Sequence, residues 1–103
     1  MRLIHLTHRK NIKSIKQRGL LAEMSKGKRK AVWVASPSRE KWAISHLLDK
    51  CGGDLSDIVR IDLNVPTAKL TGYARGVYYV NEDIPASFFT QIRRYRVSME
   101  VLS

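Results

Sequence analysis

The sequence predicts an α+β fold: one small domain over residues 1–103, with a mixed or antiparallel sheet of about five to six strands and two helices. Three observations predict it. A chain of 103 residues can bury one hydrophobic core but not a second. Its hydrophobic share of 44% beside 27% charged residues is that of a folded globule rather than a disordered chain. The hydrophobic period switches between two and 3.6 in the order strand, helix, strand, helix, then strands alone. That order points away from a doubly wound α/β fold, in which helices alternate with strands to the end.

Each element has a local reason. In "RLIHLT", Leu3 and His5 share one face and Ile4 and Leu6 the other, so the segment reads as a strand. "RKNIKSIKQRGLL" sets Ile12, Ile15 and Leu20 at near-helical spacing, lines the outer face with Lys10, Lys13, Lys16 and Arg18, and offers Gly19 as a C-terminal cap. "AVWVAS", Ala31 to Ser36, is a compact strand, after which Ser36 and Pro37 suit a helix cap and a first helical position. The second helix takes Trp42, Ile44, Leu47 and Leu48 for its buried face and stops at Gly52 and Gly53. "DIVRIDLNVP" is a third strand, ended by Pro66, and "GVYYV" a fourth. "FFTQIRRYRVSMEVL" supplies one or two more. Tyr78 and Tyr79 are adjacent in a strand and must point to opposite faces. Either both faces are covered or one opens on a ligand cleft.

Charge narrows the partners. Nineteen Lys and Arg against nine Asp and Glu give +10, which favours nucleic acid, nucleotides or phosphorylated substrates. Residues 1–30 hold ten of the basic residues and a single acid, Glu23. Two patches stand out: "KGKRK", with Lys28, Arg29 and Lys30, and "RRYR", with Arg93, Arg94 and Arg96 around Tyr95, an aromatic able to stack on a base. Either patch can equally be a solvated surface. No apolar run is long enough to span a membrane, and a lone cysteine, Cys51, cannot form an intramolecular disulfide; a cytoplasmic protein is expected.

Chemistry is first narrowed by exclusion. The glycines of "GKRK" have neither P-loop nor dinucleotide-fingerprint spacing. His5, His8 and Cys51 match no zinc pattern, so no metal is expected. No nucleophile elbow accompanies the three histidines. What remains is a histidine in the first strand, a tryptophan in the second and a tyrosine-rich fourth.

Those remaining features resemble a family. "LIHLTHRKNIKSIKQRGL" looks like the opening of ADP-ribosyltransferase-like proteins, in which a first-strand histidine is followed by Thr or Ser and then a short helix. "AVWVASPSREKWA" is similar to their second motif, and "IVRIDLNVP" with "GVYYVNEDIPASFF" to their third, the latter closest to RNA 2′-phosphotransferases. The similarity covers about residues 3–89. It implies NAD as a substrate held by His5 and Thr7 from the first strand, Trp33 and Ser36 from the second, and Tyr78 in a central strand at the cleft floor. Taken alone, His5 and Trp33 would read as ordinary strand residues, and Ser36 as a helix cap.

One departure bears on the reaction. Protein-modifying members of that family carry a glutamate at the start of the third strand, where this chain has Val77. The resemblance then leaves Arg75, just before the strand, to hold an anionic acceptor, or Glu82, in the turn beyond it, to serve as the carboxylate. Three readings stay open: an NAD-dependent ADP-ribosyl or RNA 2′-phosphoryl transferase acting on nucleic acid or a phosphorylated substrate; a catalytically silent nucleotide- or nucleic-acid-binding relative; and an unrelated basic α+β module.

Overall fold

The computed structural model describes residues 1–24, 29–51 and 57–94, with the backbone alone at 48–51. Its sheet has six strands: β1 (Arg2–His8), β2 (Val32–Ala35), β3 (Ile58–Asn64), β4 (Thr71–Ala74), β5 (Val77–Val80) and β6 (Phe89–Arg94). They lie in the order β4-β5-β2-β1-β3-β6, with every pairing antiparallel. Two helices, α1 (Ile12–Arg18) and α2 (Glu40–Cys51), lie against opposite faces. The fold is α+β, as the pattern of periods predicts.

Alternation along the strands divides the core in two. Leu3 on β1, Ile61 and Leu63 on β3, and Val80 on β5 meet Ile15 of α1 on one face. Ile4 and Leu6 of β1 and Ile58 of β3 meet Ala43, Ile44 and Leu47 of α2 on the other. Each fully buried Leu or Ile here contributes about 1.5–3 kcal/mol by leaving water.

Turn chemistry fixes the ends of α1. A single 3-10 turn, Arg9–Asn11, precedes it, and His8 Nδ1 accepts the Lys10 N–H at 3.3 Å. Gly19 closes it with φ of 77°, its N–H bonded to the Ile15 carbonyl at 2.8 Å. A side chain there would sit 2.3 Å from the Ile84 carbonyl oxygen, so only glycine fits. Leu20 and Ile84 then exchange two backbone hydrogen bonds of 2.9 and 2.8 Å, and Asp83 Oδ1 accepts the Ala22 N–H at 2.8 Å. The "NEDIP" segment therefore ties down the exit of α1.

Several expectations are corrected. β4 was not legible: "TGYA" is exposed throughout and has no buried face to impose a period. "GVYYV" is the fifth strand and lies next to the sheet edge, not at its centre. Ser36 makes no side-chain cap; a 3-10 turn, Pro37–Arg39, comes first, and the Ser36 N–H donates to the Gly76 carbonyl at 2.8 Å. Trp42 is half-buried rather than part of the closed core. The Leu48 side chain, Gly52, Gly53 and everything after Arg94 lie outside the described residues.

A charged network fastens α2 to the sheet. Arg60 of β3 bonds Glu40, the first residue of α2, at 2.8 Å and Asp62 at 2.9 Å. Asp62 is only 4% exposed, and its other oxygen faces Arg93 of β6 at 3.3 Å. Burial pushes the Arg60 guanidinium down, but hydrogen bonds and charge from Asp62 and Glu40 outweigh that and hold it above the ordinary arginine range.

Candidate functional site

The sheet is not uniformly zipped. β1 pairs with β3 along all seven residues and β2 with β5 along all four, yet β1 and β2 are in register only at Ile4 and Ala35. Beyond that pair the strands part, and the bond between His5 Nδ1 and the Trp33 carbonyl, 2.7 Å long, bridges the start of the gap. A carbonyl only accepts, so Nδ1 carries the hydrogen, and in a neutral ring Nε2 is the accepting nitrogen.

A cavity of about 550 Å³ fills the parting. That volume lies within the range of small-molecule and cofactor sites. One wall is aromatic, from Trp33 of β2 and from Trp42 and His46 of α2. Thr7 and His8 of β1, then Lys10, Asn11 and Ser14, add polar groups to a lining that also includes Ile15, Leu20 and Leu21. Asn11 Nδ2 donates to Thr7 Oγ1 at 3.3 Å, which fixes part of that lining. No acidic residue lines the cavity among the described residues. Hydroxyl, amide and basic groups together with an aromatic wall suit a ligand with polar and anionic groups at one end and a flat ring at the other.

Trp33 is the hub of the aromatic wall. Its ring centroid lies 5.0 Å from Tyr73, 5.2 Å from Tyr79, 5.8 Å from His46 and 6.4 Å from Trp42. Trp42 and His46 stack at 4.9 Å with planes 14° apart. Their i, i+4 spacing on α2 brings them together, and the Trp33–Tyr79 contact follows from their cross-strand register. Arg29 lies over the Tyr79 ring at 4.4 Å.

The structure brings together some of the expected residues and separates others. His5, Thr7 and Trp33 line the cavity. Ser36 and Tyr78 do not: Ser36 sits beside Gly76, and Tyr78 packs on the core cluster of the α1 face. Tyr78 and Tyr79 do point to opposite faces, and both are half-buried. Arg75 is exposed in the turn between β4 and β5. Glu82 is exposed and bonded to Lys69 at 2.5 Å. Neither lines the cavity.

Of the basic residues, Arg29 and Lys30 are exposed just before β2. Arg93 and Arg94 are on β6, drawn toward Asp62 and Asp57 at 3.3 and 3.4 Å. β1 and β3 lie between β2 and β6 in the sheet, so the two patches stand at different strands. Lys28 and Arg96 lie outside the described residues. Tyr73 and His46 were not singled out from the sequence; Trp42 was read there as helix core and Tyr79 only as the strand neighbour of Tyr78, although the i, i+4 pair of Trp42 and His46 on a predicted helix was visible in it.

The site is thus a cleft between parted strands of an antiparallel α+β domain, largely apolar, with an aromatic group from β2 and α2 and polar to basic groups from β1 and the start of α1. No protein-family model matches the chain, and no curated protein is significantly similar to it in sequence. No helix among the described residues is long and apolar enough to cross a membrane.

Proposed function

We propose that the domain binds NAD in the cleft between β1 and β2 and transfers to an anionic acceptor on nucleic acid or on a phosphorylated substrate, in the manner of an ADP-ribosyl or RNA 2′-phosphoryl transferase. The parting of β1 and β2 around His5 and Trp33 carries this reading, because it sets a hydrogen-bonding imidazole and an aromatic wall around one cavity. In the reaction the acceptor oxygen bonds to C1 of the nicotinamide ribose as the bond from that carbon to nicotinamide breaks. The bonding pair returns to the ring nitrogen, so nicotinamide leaves neutral without a proton. An ionised phosphate has no proton to lose either, so a cavity lined by no carboxylate does not obstruct this ADP-ribosyl step; in the 2′-phosphoryl case the 2-hydroxyl of the same ribose next attacks the phosphorus, the bond to the RNA 2′-oxygen breaks, and that oxygen takes up the hydroxyl proton. A cytoplasmic setting, where NAD is at hand, accords with this chemistry.

A second reading is favoured by one observation. Arg75 and Glu82, the groups offered for catalysis, both lie away from the cavity lining, as in a domain that binds nucleotide without turnover. Incubation with NAD and a panel of RNA, DNA and 2′-phosphorylated oligonucleotides separates the two. Release of nicotinamide dependent on an anionic acceptor is the expected result. Saturable NAD binding without release identifies the silent binder, and neither binding nor release removes NAD from the account.

A further inference from the structure

The aromatic wall does not end inside the cavity. It continues outward along the α2 face of β2, β5 and β4 through Tyr79 to Tyr73, which is 65% exposed. Tyr73 occupies a β-bulge: Gly72 pairs with Tyr78 and Ala74 with Val77, leaving Tyr73 as the extra residue. Bulges re-aim side chains, and here Tyr73 meets Trp33 with ring planes at 90°. Large exposed aromatics on an edge strand invite aggregation unless they serve a contact.

Charge says what kind of contact. Arg29 covers Tyr79, and Arg29 and Lys30 are both exposed beside these rings in a chain of net charge +10. A row of rings edged by cations is how unpaired bases and their backbone are held together. A duplex keeps its bases stacked on one another and so offers this surface backbone and base edges but no free base face.

We infer that the face formed by Tyr73, Tyr79 and Trp33, with Arg29 and Lys30 at its edge, binds single-stranded nucleic acid by stacking an unpaired base on the exposed ring of Tyr73, which the half-buried rings of Trp33 and Tyr79 support. This rests on the nucleic-acid part of the function proposed above and adds the surface, the strandedness and the mode of contact. It does not depend on NAD.

Both tryptophans of the chain, Trp33 and Trp42, lie in this aromatic group, so intrinsic fluorescence reads the site directly. The test titrates the whole protein at low salt with a single-stranded 12-mer RNA, its duplex, and an abasic strand of equal charge, and separately with NAD. The single strand should bind about tenfold or more tighter than the abasic strand. Tyr73→Ala should collapse that advantage while Tyr73→Phe, which keeps the ring, preserves it. Exposure of Tyr73 makes both variants compatible with folding. Equal affinity for base-bearing, abasic and duplex ligands, or an advantage that survives Tyr73→Ala, overturns the inference. Binding of NAD with no oligonucleotide binding also overturns it and leaves the cleft reading standing. A ring-dependent preference for single strands without NAD binding supports it and removes the NAD cleft.

Discussion

His5 hydrogen-bonds through Nδ1 to the main-chain oxygen of Trp33 at 2.7 Å, at the point where β1 and β2 leave register. One side chain thus replaces the ladder bonds that a continuous sheet would have made there.

His5→Ala should affect both stability and ligand binding. The half-buried Trp33 carbonyl loses its donor, a cost of about 1–3 kcal/mol if no water replaces it. NAD affinity should fall by a similar amount, about 1–3 kcal/mol, through the loss of an imidazole that lines the cavity. Urea denaturation and fluorescence titration measure the two separately. An unchanged denaturation midpoint would show that the bridge does not hold the strands.

Arg60→Met should be among the most damaging single changes in the charged set. It removes one of the two arginines that meet Asp62 among the described residues, and because Asp62 is 4% exposed the loss should approach that of a broken buried pair, about 3–5 kcal/mol, reduced by the remaining contact to Arg93 at 3.3 Å. Arg94→Ala, at a largely exposed pair with Asp57, should cost under about 1 kcal/mol. Because the folded Arg60 titrates above its ordinary range, its stabilising contribution is complete below that range and is lost only in strong alkali. No slope of stability near neutral pH should come from this group, which denaturation midpoints at several pH values would check. Similar midpoints for Arg60→Met and the wild type would mean the network is not what fastens α2.

Gly19→Ala should cost about 2 kcal/mol or more, from a left-handed backbone and a Cβ forced against the Ile84 carbonyl. Gly72→Ala is the contrasting substitution: its Cβ would meet nothing within 4 Å, and stability should stay within about 0.5 kcal/mol. Thermal melts of the pair test whether close approach rather than glycine content matters. Equal melting losses would contradict it.

Glu82→Gln breaks only an exposed pair with Lys69, so nicotinamide release with an anionic acceptor should change by less than about twofold. Arg75→Ala tests whether the acceptor reaches the β4–β5 turn, which lies outside the cavity lining: a charge-assisted contact there would lower release about tenfold, and unchanged release would show that the acceptor does not extend that far. The reverse pattern, release lost in Glu82→Gln and kept in Arg75→Ala, would show that the turn carboxylate leaves Lys69 and acts in catalysis.

The sequence reveals elements wherever burial imposes a period. β1 and β3 have Ile or Leu on both faces, and α1 carries Ile12 and Ile15 toward the sheet and ends on a glycine with one allowed role. β4 has no buried residue, and its exposure hid it. Within the site, His5, Thr7 and Trp33 were legible because their strand positions fix where they stand along the gap. Tyr78 and Ser36 were not, because which neighbour a strand finds, and on which face a ring then lands, depends on pairing between segments distant in the chain. The gap between β1 and β2 is likewise a failure of pairing, which no local pattern encodes.

That gap makes the sheet two leaves, β6-β3-β1 and β2-β5-β4, hinged at Ile4 and Ala35. Mechanically it is a clothes-peg whose jaws hold the cavity. Amide hydrogens of β3, and those of β1 that point to β3, should then exchange with solvent only when the whole domain unfolds, whereas those of β1 and β2 facing the gap exchange through partial opening of the jaws. A ligand spanning both leaves would slow exchange at the seam far more than within either leaf, giving a map of the closed state without a structure of the complex.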